Sequence, residues 1–224
     1  MIKNYALCNE VLKRLRDSGI LENIIVIGSW CIYFYKDYFR EIDYNSLIRT
    51  RDIDFLVPIP PVFKEKVDVH ELLKDLGFLI DFHRDGYIRL VHPELIIEFL
   101  VPERGRGFDK PYPLPQLGVN AQSLRFLEFL ETNSMIIESD HLILNVPHPA
   151  AFALHKLIIS ERRPKEEKRI KERREAIHIL NCLIEKGDKE IVKRLFDSIP
   201  RRWKTKVVNA LRIADEESFS GFLK

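Results

Sequence analysis

The chain is poor in the residues that build disulfide frameworks and membrane spans. Its 224 residues include only three cysteines, Cys8, Cys31 and Cys182, which stand far apart and form no C-x-x-C motif. An odd number of widely spaced cysteines argues against a disulfide framework or a zinc knuckle and predicts reduced thiols. No apolar run approaches the roughly 18 residues of a membrane span, and residues 1–15 lack the apolar core and cleavage site of a signal peptide. We therefore expect a cytoplasmic protein that does not engage a membrane.

An excess of charge of one sign is also absent. The chain has 36 Lys and Arg against 34 Asp and Glu, so any nucleic-acid patch must be local. Hydrophobic residues make up 46% of the chain, which is enough apolar mass for a core. The length fits one large domain or two small ones, at about 100–200 residues per domain.

Helical and strand periodicities alternate through residues 1–101. The predicted strands cover residues 24–27, 52–57, 87–91 and 95–101. The predicted helices cover residues 5–18, 29–39 and 62–76. The last two strands are joined too tightly for a crossover helix. This favours an α+β fold, with a mixed sheet flanked by helices, over a doubly wound one.

The remaining chain is expected to form two further segments. Residues 102–148 begin as a loop rich in Gly and Pro and continue as additional strands, although 124–131 fits a helix equally well. Residues 149–224 have the pattern of a helical region. Within it, the run from Glu161 to Glu175 alternates in sign, which is typical of a solvated helix.

Three acidic residues stand out in the predicted strands. Asp52 and Asp54 are two apart, so on a strand they project from one face while Ile53 faces the other way. Glu98 is the one charge in the apolar run "LIIEFLV". Carboxylates this close repel unless a cation lies between them, and Mg²⁺ binds through one or two carboxylates plus substrate phosphates. The alternatives are an edge strand whose polar face meets water, and a Glu98 that pairs with Arg89.

The segment "IIVIGSWCIYF" adds a glycine and a hydroxyl between a strand and a helix. Gly28 permits close approach of the backbone to a ligand, and a helix N-terminus offers amides to phosphate. Gly-Ser is also an ordinary helix cap. It indicates a phosphate-binding turn only because the strand with Asp52 and Asp54 and then the strand with Glu98 follow it.

In that order, the Gly-Ser turn, "RDIDFLVP" and "IEFLVP" resemble the signature segments of the polymerase-β-like nucleotidyltransferase superfamily. A His-Lys pair and a basic segment after Pro149 narrow the resemblance to a bacterial group of stand-alone nucleotidyltransferase-domain proteins. The resemblance implies a catalytic core at 1–101, a linker with additional strands at 102–148, and a helical region at 149–224 that completes the nucleotide site. It covers about Gly28 to Leu180.

The resemblance also implies a role for each matching residue. Asp52 and Asp54 would bind Mg²⁺, with Mn²⁺ as the alternative, and Glu98 stands at the third carboxylate as metal ligand or base. Gly28 and Ser29 would hold the phosphates of a nucleoside triphosphate such as ATP. Lys156 would reach the triphosphate from the helical region, although by its apolar surroundings alone it fits a lysine snorkelling from a packed helix.

The expected activity is therefore transfer of a nucleoside monophosphate to an acceptor hydroxyl. The acceptor stays open among tRNA, protein and a small molecule. Several basic residues could bind it, although a solvated surface explains them equally well; they are Arg104, Arg106, Arg162, Arg163, Lys168, Lys171 and the segment around Trp203. The alternatives are a non-catalytic nucleotide-binding regulatory module on the same fold, and a toxin-like enzyme with an antitoxin partner.

Overall fold

The computed structural model describes residues 4–46, 50–103, 110–216, 219 and 221. The chain divides into two compact units. The sheet unit comprises residues 1–38 and 45–147, and the helical unit comprises residues 39–44 and 148–224. In the described part of the chain, no helix is both long enough and apolar enough to cross a membrane.

The sheet unit contains nine strands and four helices in its described residues. The strands are β1 (Ile25–Ile27), β2 (Asp52–Leu56), β3 (Leu79–Phe82), β4 (Ile88–Val91), β5 (Ile96–Pro102), β6 (Tyr112–Leu114), β7 (Val119–Leu124), β8 (Ser134–Ser139) and β9 (Leu142–Pro147). The helices are α1 (Tyr5–Asp17), α2 (Trp30–Phe34), α3 (Val69–Leu73) and α4 (Leu127–Thr132). Single 3₁₀ turns cover Leu21–Asn23 and Lys74–Leu76.

The main sheet is mixed, as the sequence pattern predicted. Its strands run in the order β1-β2-β5-β4-β3, with β7 beside β5 and β6 beside β7. The β2–β5 and β5–β7 pairs are parallel, and the other pairs are antiparallel. Strands β8 and β9 form a separate hairpin. This confirms the α+β prediction.

One face of the central strands is buried in the core. Ile53 and Phe55 on β2, and Ile97 and Phe99 on β5, are all nearly inaccessible to solvent. The rings of Phe55 and Phe99 lie 5.6 Å apart. Because side chains alternate along a strand, the residues between them face the opposite side of the sheet. That opposite side carries the acids.

Two helices are shorter than the sequence pattern predicts. The helix expected over 62–76 begins only at Val69, where the Asp68 side chain accepts the backbone N–H of Glu71. Val62 is 70% exposed, so the apolar residue of the expected first turn has no surface to pack against. The helix expected over 29–39 ends as a regular helix at Phe34. Residues 124–131, which fitted a strand or a helix, divide between the end of β7 and α4.

Four helices of the helical unit lie within the described residues, which confirms the predicted C-terminal helical region. They are α5 (Pro149–Ser160), α6 (Glu166–Lys186), α7 (Lys189–Ser198) and α8 (Arg201–Ile213). Pro149 occupies the first turn of α5, where its missing N–H costs no hydrogen bond. The His148 ring caps this helix by accepting the N–H of Ala150 at 3.1 Å. Helix α5 is buried along almost its whole length.

Candidate active site

Asp52, Asp54 and Glu98, which we call the acid cluster, lie on one face of two neighbouring strands. Asp54 on β2 pairs in parallel register with Glu98 on β5, so their side chains stand next to each other. Asp52 is one pleat further along β2 on the same face and is exposed. The side chain of Glu98 is 23% exposed. The fold therefore brings together two predicted site residues that are 44 positions apart in sequence.

The Gly28-Ser29 turn lies directly against this cluster. Gly28 has a φ of +74°, and a Cβ at this position would come within 2.1 Å of Asp54 Oδ2. Only glycine fits such an approach, because a side chain would displace the carboxylate. Ser29 stands at the start of α2 but makes no side-chain capping bond within the described residues. Its hydroxyl is not used as the ordinary helix cap that the sequence left as an alternative.

The electrostatic surroundings of Glu98 are mixed. Burial raises the pKa of this carboxyl above its ordinary value, and the negative charge of Asp52 adds to the rise. Arg89 and His83 act in the opposite direction. Arg89 Nη1 lies 3.7 Å from Glu98 Oε1, beyond ordinary hydrogen-bond length.

Arg89 also contacts an acid that sequence reasoning missed. It faces Glu98 on one side in the β4–β5 register and Asp81 on the other side in the β3–β4 register. Its Nε donates to Asp81 Oδ2 at 2.9 Å, and its Nη2 donates to the same oxygen. The signal that could have found Asp81 was the strand "LIDF", which the sequence pattern did not separate from its surroundings.

The acid cluster fits a metal that takes part of its coordination from a substrate. Within the described residues, no group of three or more His, Cys, Asp or Glu side chains is close enough to hold a metal ion by itself. Two carboxylates in register, with a glycine backbone packed against one of them, suit Mg²⁺, which takes one or two carboxylates and completes its shell with phosphate oxygens and water. The residues therefore fit the metal that the resemblance implies.

In the helical unit, Lys156 is part of a buried ion cluster with Arg163, Glu172 and Glu175. Lys156 is 5% exposed, and its Nζ donates to Glu172 Oε2 at 2.5 Å and lies 2.6 Å from Glu175 Oε2. Arg163 donates to the other Glu172 oxygen through Nε at 2.9 Å and Nη2 at 2.7 Å. The two cations and two anions balance in charge. Lys156 does not snorkel to water, which was the alternative from its sequence context.

The pKa values of Glu172, in this cluster, and of His155, beside it, are both shifted. Burial alone would raise the pKa of Glu172, but the charges of Lys156 and Arg163 outweigh it and lower the pKa to about 2. The neighbouring His155 is 8% exposed, and its burial lowers the imidazole pKa to about 3. Its Nε2 has no hydrogen-bond partner in the described part of the chain. His155 is therefore neutral at physiological pH.

The basic residues that could bind an acceptor differ in their location and contacts. Arg104 and Arg106 lie outside the described residues. Arg163 is occupied by Glu172, and Lys171 lies 3.7 Å from Glu175. Trp203 is on α8 and is partly exposed.

Comparisons with known proteins give the class. A nucleotidyltransferase family model matches residues 7–186, so the chain belongs to the nucleotidyltransferase family. No curated protein matches the chain significantly.

Two solved structures match the chain at low sequence identity. An antigenic nucleotidyltransferase-like protein from Paracoccidioides brasiliensis matches with a TM-score of 0.50 and 12% identity, over 97% of this chain and 90% of that one. The antibiotic-resistance factor ANT(2'')-Ia matches with a TM-score of 0.47 and 12% identity, over 99% of each chain. Nucleotidyl transfer is accordingly the general class of activity, and it rests on the family match.

Proposed function

We propose that the protein is a magnesium-dependent enzyme that moves a nucleoside monophosphate from a nucleoside triphosphate, with ATP as the first candidate, to an acceptor hydroxyl and releases pyrophosphate. The observation that carries the proposal is the register of Asp54 with Glu98, with Asp52 on the same face and Gly28 packed against Asp54. Membership of the nucleotidyltransferase family supports it.

The residues divide the work by position. Asp52 and Asp54 would hold Mg²⁺ or Mn²⁺, and Gly28 and Ser29 would lie against the phosphates. The bound ion would supply charge neutralisation and in-line alignment of the attacking and leaving oxygens. Glu98, or Asp54 in its place, would take the proton of the acceptor hydroxyl. Burial raises the pKa of Glu98, which moves this carboxyl closer to the range of a useful general base.

The phosphate role of Lys156 stays part of the proposal. Its ammonium already has Glu172 and Glu175 as partners, so a triphosphate would have to share it with them or replace one of them. An arrangement of this kind keeps the lysine charged, since its neighbours raise its pKa against the effect of burial. A charge-assisted contact to phosphate is worth about 1.5–3 kcal/mol.

A labelling experiment can identify the acceptor. We would incubate the purified protein with each nucleoside triphosphate, labelled at the α-phosphate, together with Mg²⁺ and a cell extract. We expect label in one acceptor class, namely tRNA, protein or a small molecule, and no label with Asp52→Asn plus Asp54→Asn. Labelled tRNA or protein would favour the toxin-like enzyme with a partner protein. Nucleotide binding without any labelled product would favour the non-catalytic regulatory module.

A further inference from the structure

Arg89 lies between two carboxylates on neighbouring strands of the main sheet. The cross-strand row runs from Asp54 through Glu98 and Arg89 to Asp81, one residue from each of four adjacent strands. The side chains of Arg89, Glu98 and Asp81 are 30%, 23% and 36% exposed, so water screens their charges only in part. Arg89 is therefore placed to influence the acid cluster without being a member of it.

The two contacts of Arg89 are unequal. Two of its nitrogens donate to Asp81, whereas its ion pair with Glu98 has a length of 3.7 Å. Glu172, by contrast, has three donated hydrogen bonds from Lys156 and Arg163, all at 2.5–2.9 Å. A residue whose purpose was to neutralise Glu98 permanently would be expected to bond to it in the same way. The geometry instead ties Arg89 to Asp81 and leaves its Glu98 contact easy to break.

We propose that Arg89 is an exchangeable counter-ion of Glu98. Its hydrogen bonds to Asp81 keep it in place whether or not it contacts Glu98. Without a metal, Arg89 stands beside Glu98 and partly offsets its charge. When a divalent cation occupies the acid cluster, Arg89 keeps Asp81 as its partner and gives up Glu98. Arg89 is thus a positioning residue that acts through Glu98, and Asp81 acts through Arg89. This inference rests on the proposed function, because it requires the acid cluster to bind a divalent cation.

The test is a double-mutant cycle on Mn²⁺ binding, measured by electron paramagnetic resonance first without nucleotide and then with a non-hydrolysable nucleoside triphosphate. Arg89→Gln removes the competitor and should tighten Mn²⁺ binding by about two- to fivefold, the range of a partly exposed ion pair. Asp81→Asn releases Arg89 toward Glu98 and should weaken binding by a similar factor. In the Arg89→Gln background, Asp81→Asn should have no further effect, since Asp81 acts only through the arginine.

Two controls separate this exchange from a simple change in charge. Arg125→Gln breaks an Arg–Glu pair of 2.9 Å with Glu103 in the same unit but off the row, and should leave Mn²⁺ binding unchanged. Arg89→Lys keeps the cation and should not bind Mn²⁺ more tightly than wild type. If Arg89→Gln does not fold, Arg89→Met takes its place in the cycle.

The possible failures point to different parts of the account. If Asp81→Asn weakens Mn²⁺ binding equally with and without Arg89, its effect is that of a lost charge and the inference is wrong. The inference is also wrong if Arg89→Gln fails to tighten binding by a wild type that does bind Mn²⁺. If wild type binds no Mn²⁺ through Asp52 and Asp54, either alone or with a non-hydrolysable nucleoside triphosphate, the metal site of the proposed function fails, and this inference fails with it.

Discussion

The two units each hold a cluster of charged side chains, and the clusters differ in how closely their charges are paired. In the buried ion cluster, Lys156 and Glu172 have side chains that are 7% and 10% exposed, and both have short contacts to opposite charges. In the acid cluster, Asp52 is exposed and Glu98 has a 3.7 Å contact to a cation that is better bonded elsewhere. Glu172 has close contacts to opposite charges and needs no further cation, whereas Glu98, whose contact with Arg89 is long, can gain stability from a bound metal ion.

This difference gives each cluster its own characteristic response to substitution. Substitutions in the acid cluster should change metal binding and activity while leaving the fold largely intact. Substitutions in the buried ion cluster should change the stability of the fold first, because they leave a buried charge without its partner. The predictions below test this separation.

The largest effect is expected from Asp52→Asn plus Asp54→Asn. Magnesium-dependent release of pyrophosphate should fall by at least about a thousandfold, because loss of the metal removes several kcal/mol of charge stabilisation. The midpoint of thermal unfolding should stay near that of wild type, since asparagine keeps the volume of aspartate at both positions and Asp52 is exposed. A double variant that retains substantial activity would separate the acid cluster from the chemistry.

Lys156→Met should destabilise the helical unit by about 3–5 kcal/mol, because it leaves Glu175 and Glu172 buried with less positive charge. Methionine keeps the apolar stem, so packing is largely preserved. Unfolding in urea, followed by far-ultraviolet circular dichroism, measures the loss. Lys171→Met is the matched control, since its side chain is 48% exposed and its loss should cost less than about 1 kcal/mol.

The same variant tests the proposed phosphate role of Lys156. Nucleotide affinity would be measured at a temperature where Lys156→Met is folded. A loss of about tenfold or more supports contact with phosphate. Unchanged affinity would assign Lys156 to the buried ion cluster alone.

Gly28→Ala should lower activity by about a hundredfold, because its Cβ would push the Asp54 carboxylate out of place. Gly19→Ala is a matched control for backbone strain. Gly19 has a φ of +71°, similar to the +74° of Gly28, but no atom lies within 4 Å of its hypothetical Cβ. Both variants should lose about 1–2 kcal/mol of stability from the left-handed backbone. Equal activities would show that the close approach to Asp54 has no catalytic importance.

The smallest effect concerns pH and the buried His155. Its folded pKa of about 3 lies below its ordinary 6.5, so the unfolded chain takes up this proton first as pH falls. The contribution of neutral His155 to the free energy of unfolding is complete above about pH 6.5. It declines toward pH 3 by about 1.4 kcal/mol per pH unit. Between pH 6.5 and 5 we expect a loss of about 2 kcal/mol in wild type, measured by urea unfolding. His155→Leu should lack this decline, and an unchanged slope would show that His155 is not the group responsible.

The sequence predicted the main strands well where one face of each strand is buried. Strands β2 and β5 alternate buried and more exposed residues around Asp54 and Glu98, and this pattern fixes their faces. Strand β3 was missed because it is an edge strand in which Leu79 and Phe82 are about 70% exposed, at 67% and 72%. Because neither face of β3 is covered, its sequence has no regular alternation of apolar and polar residues that would predict a strand. Asp81 was missed for the same reason.

The sequence could not distinguish the two kinds of charged site. Glu98 in "LIIEFLV" and Lys156 in "FALHKLII" give the same local signal, a single charge in an apolar run. What separates them is the set of partners, and these come from other elements. Glu172 and Glu175 approach Lys156 from the next helix, while Arg89 reaches Glu98 across a strand register. Local periodicity predicts neither set of contacts.

The most direct test of the central claim compares a nucleoside triphosphate labelled at the α-phosphate with one labelled at the γ-phosphate, using wild type and Asp54→Asn. Nucleotidyl transfer by the acid cluster predicts that an acceptor gains the α-label but not the γ-label. It also predicts that the transfer requires Mg²⁺ or Mn²⁺ and is lost in Asp54→Asn. Transfer of the γ-label, or unchanged α-label transfer by Asp54→Asn, would contradict the account.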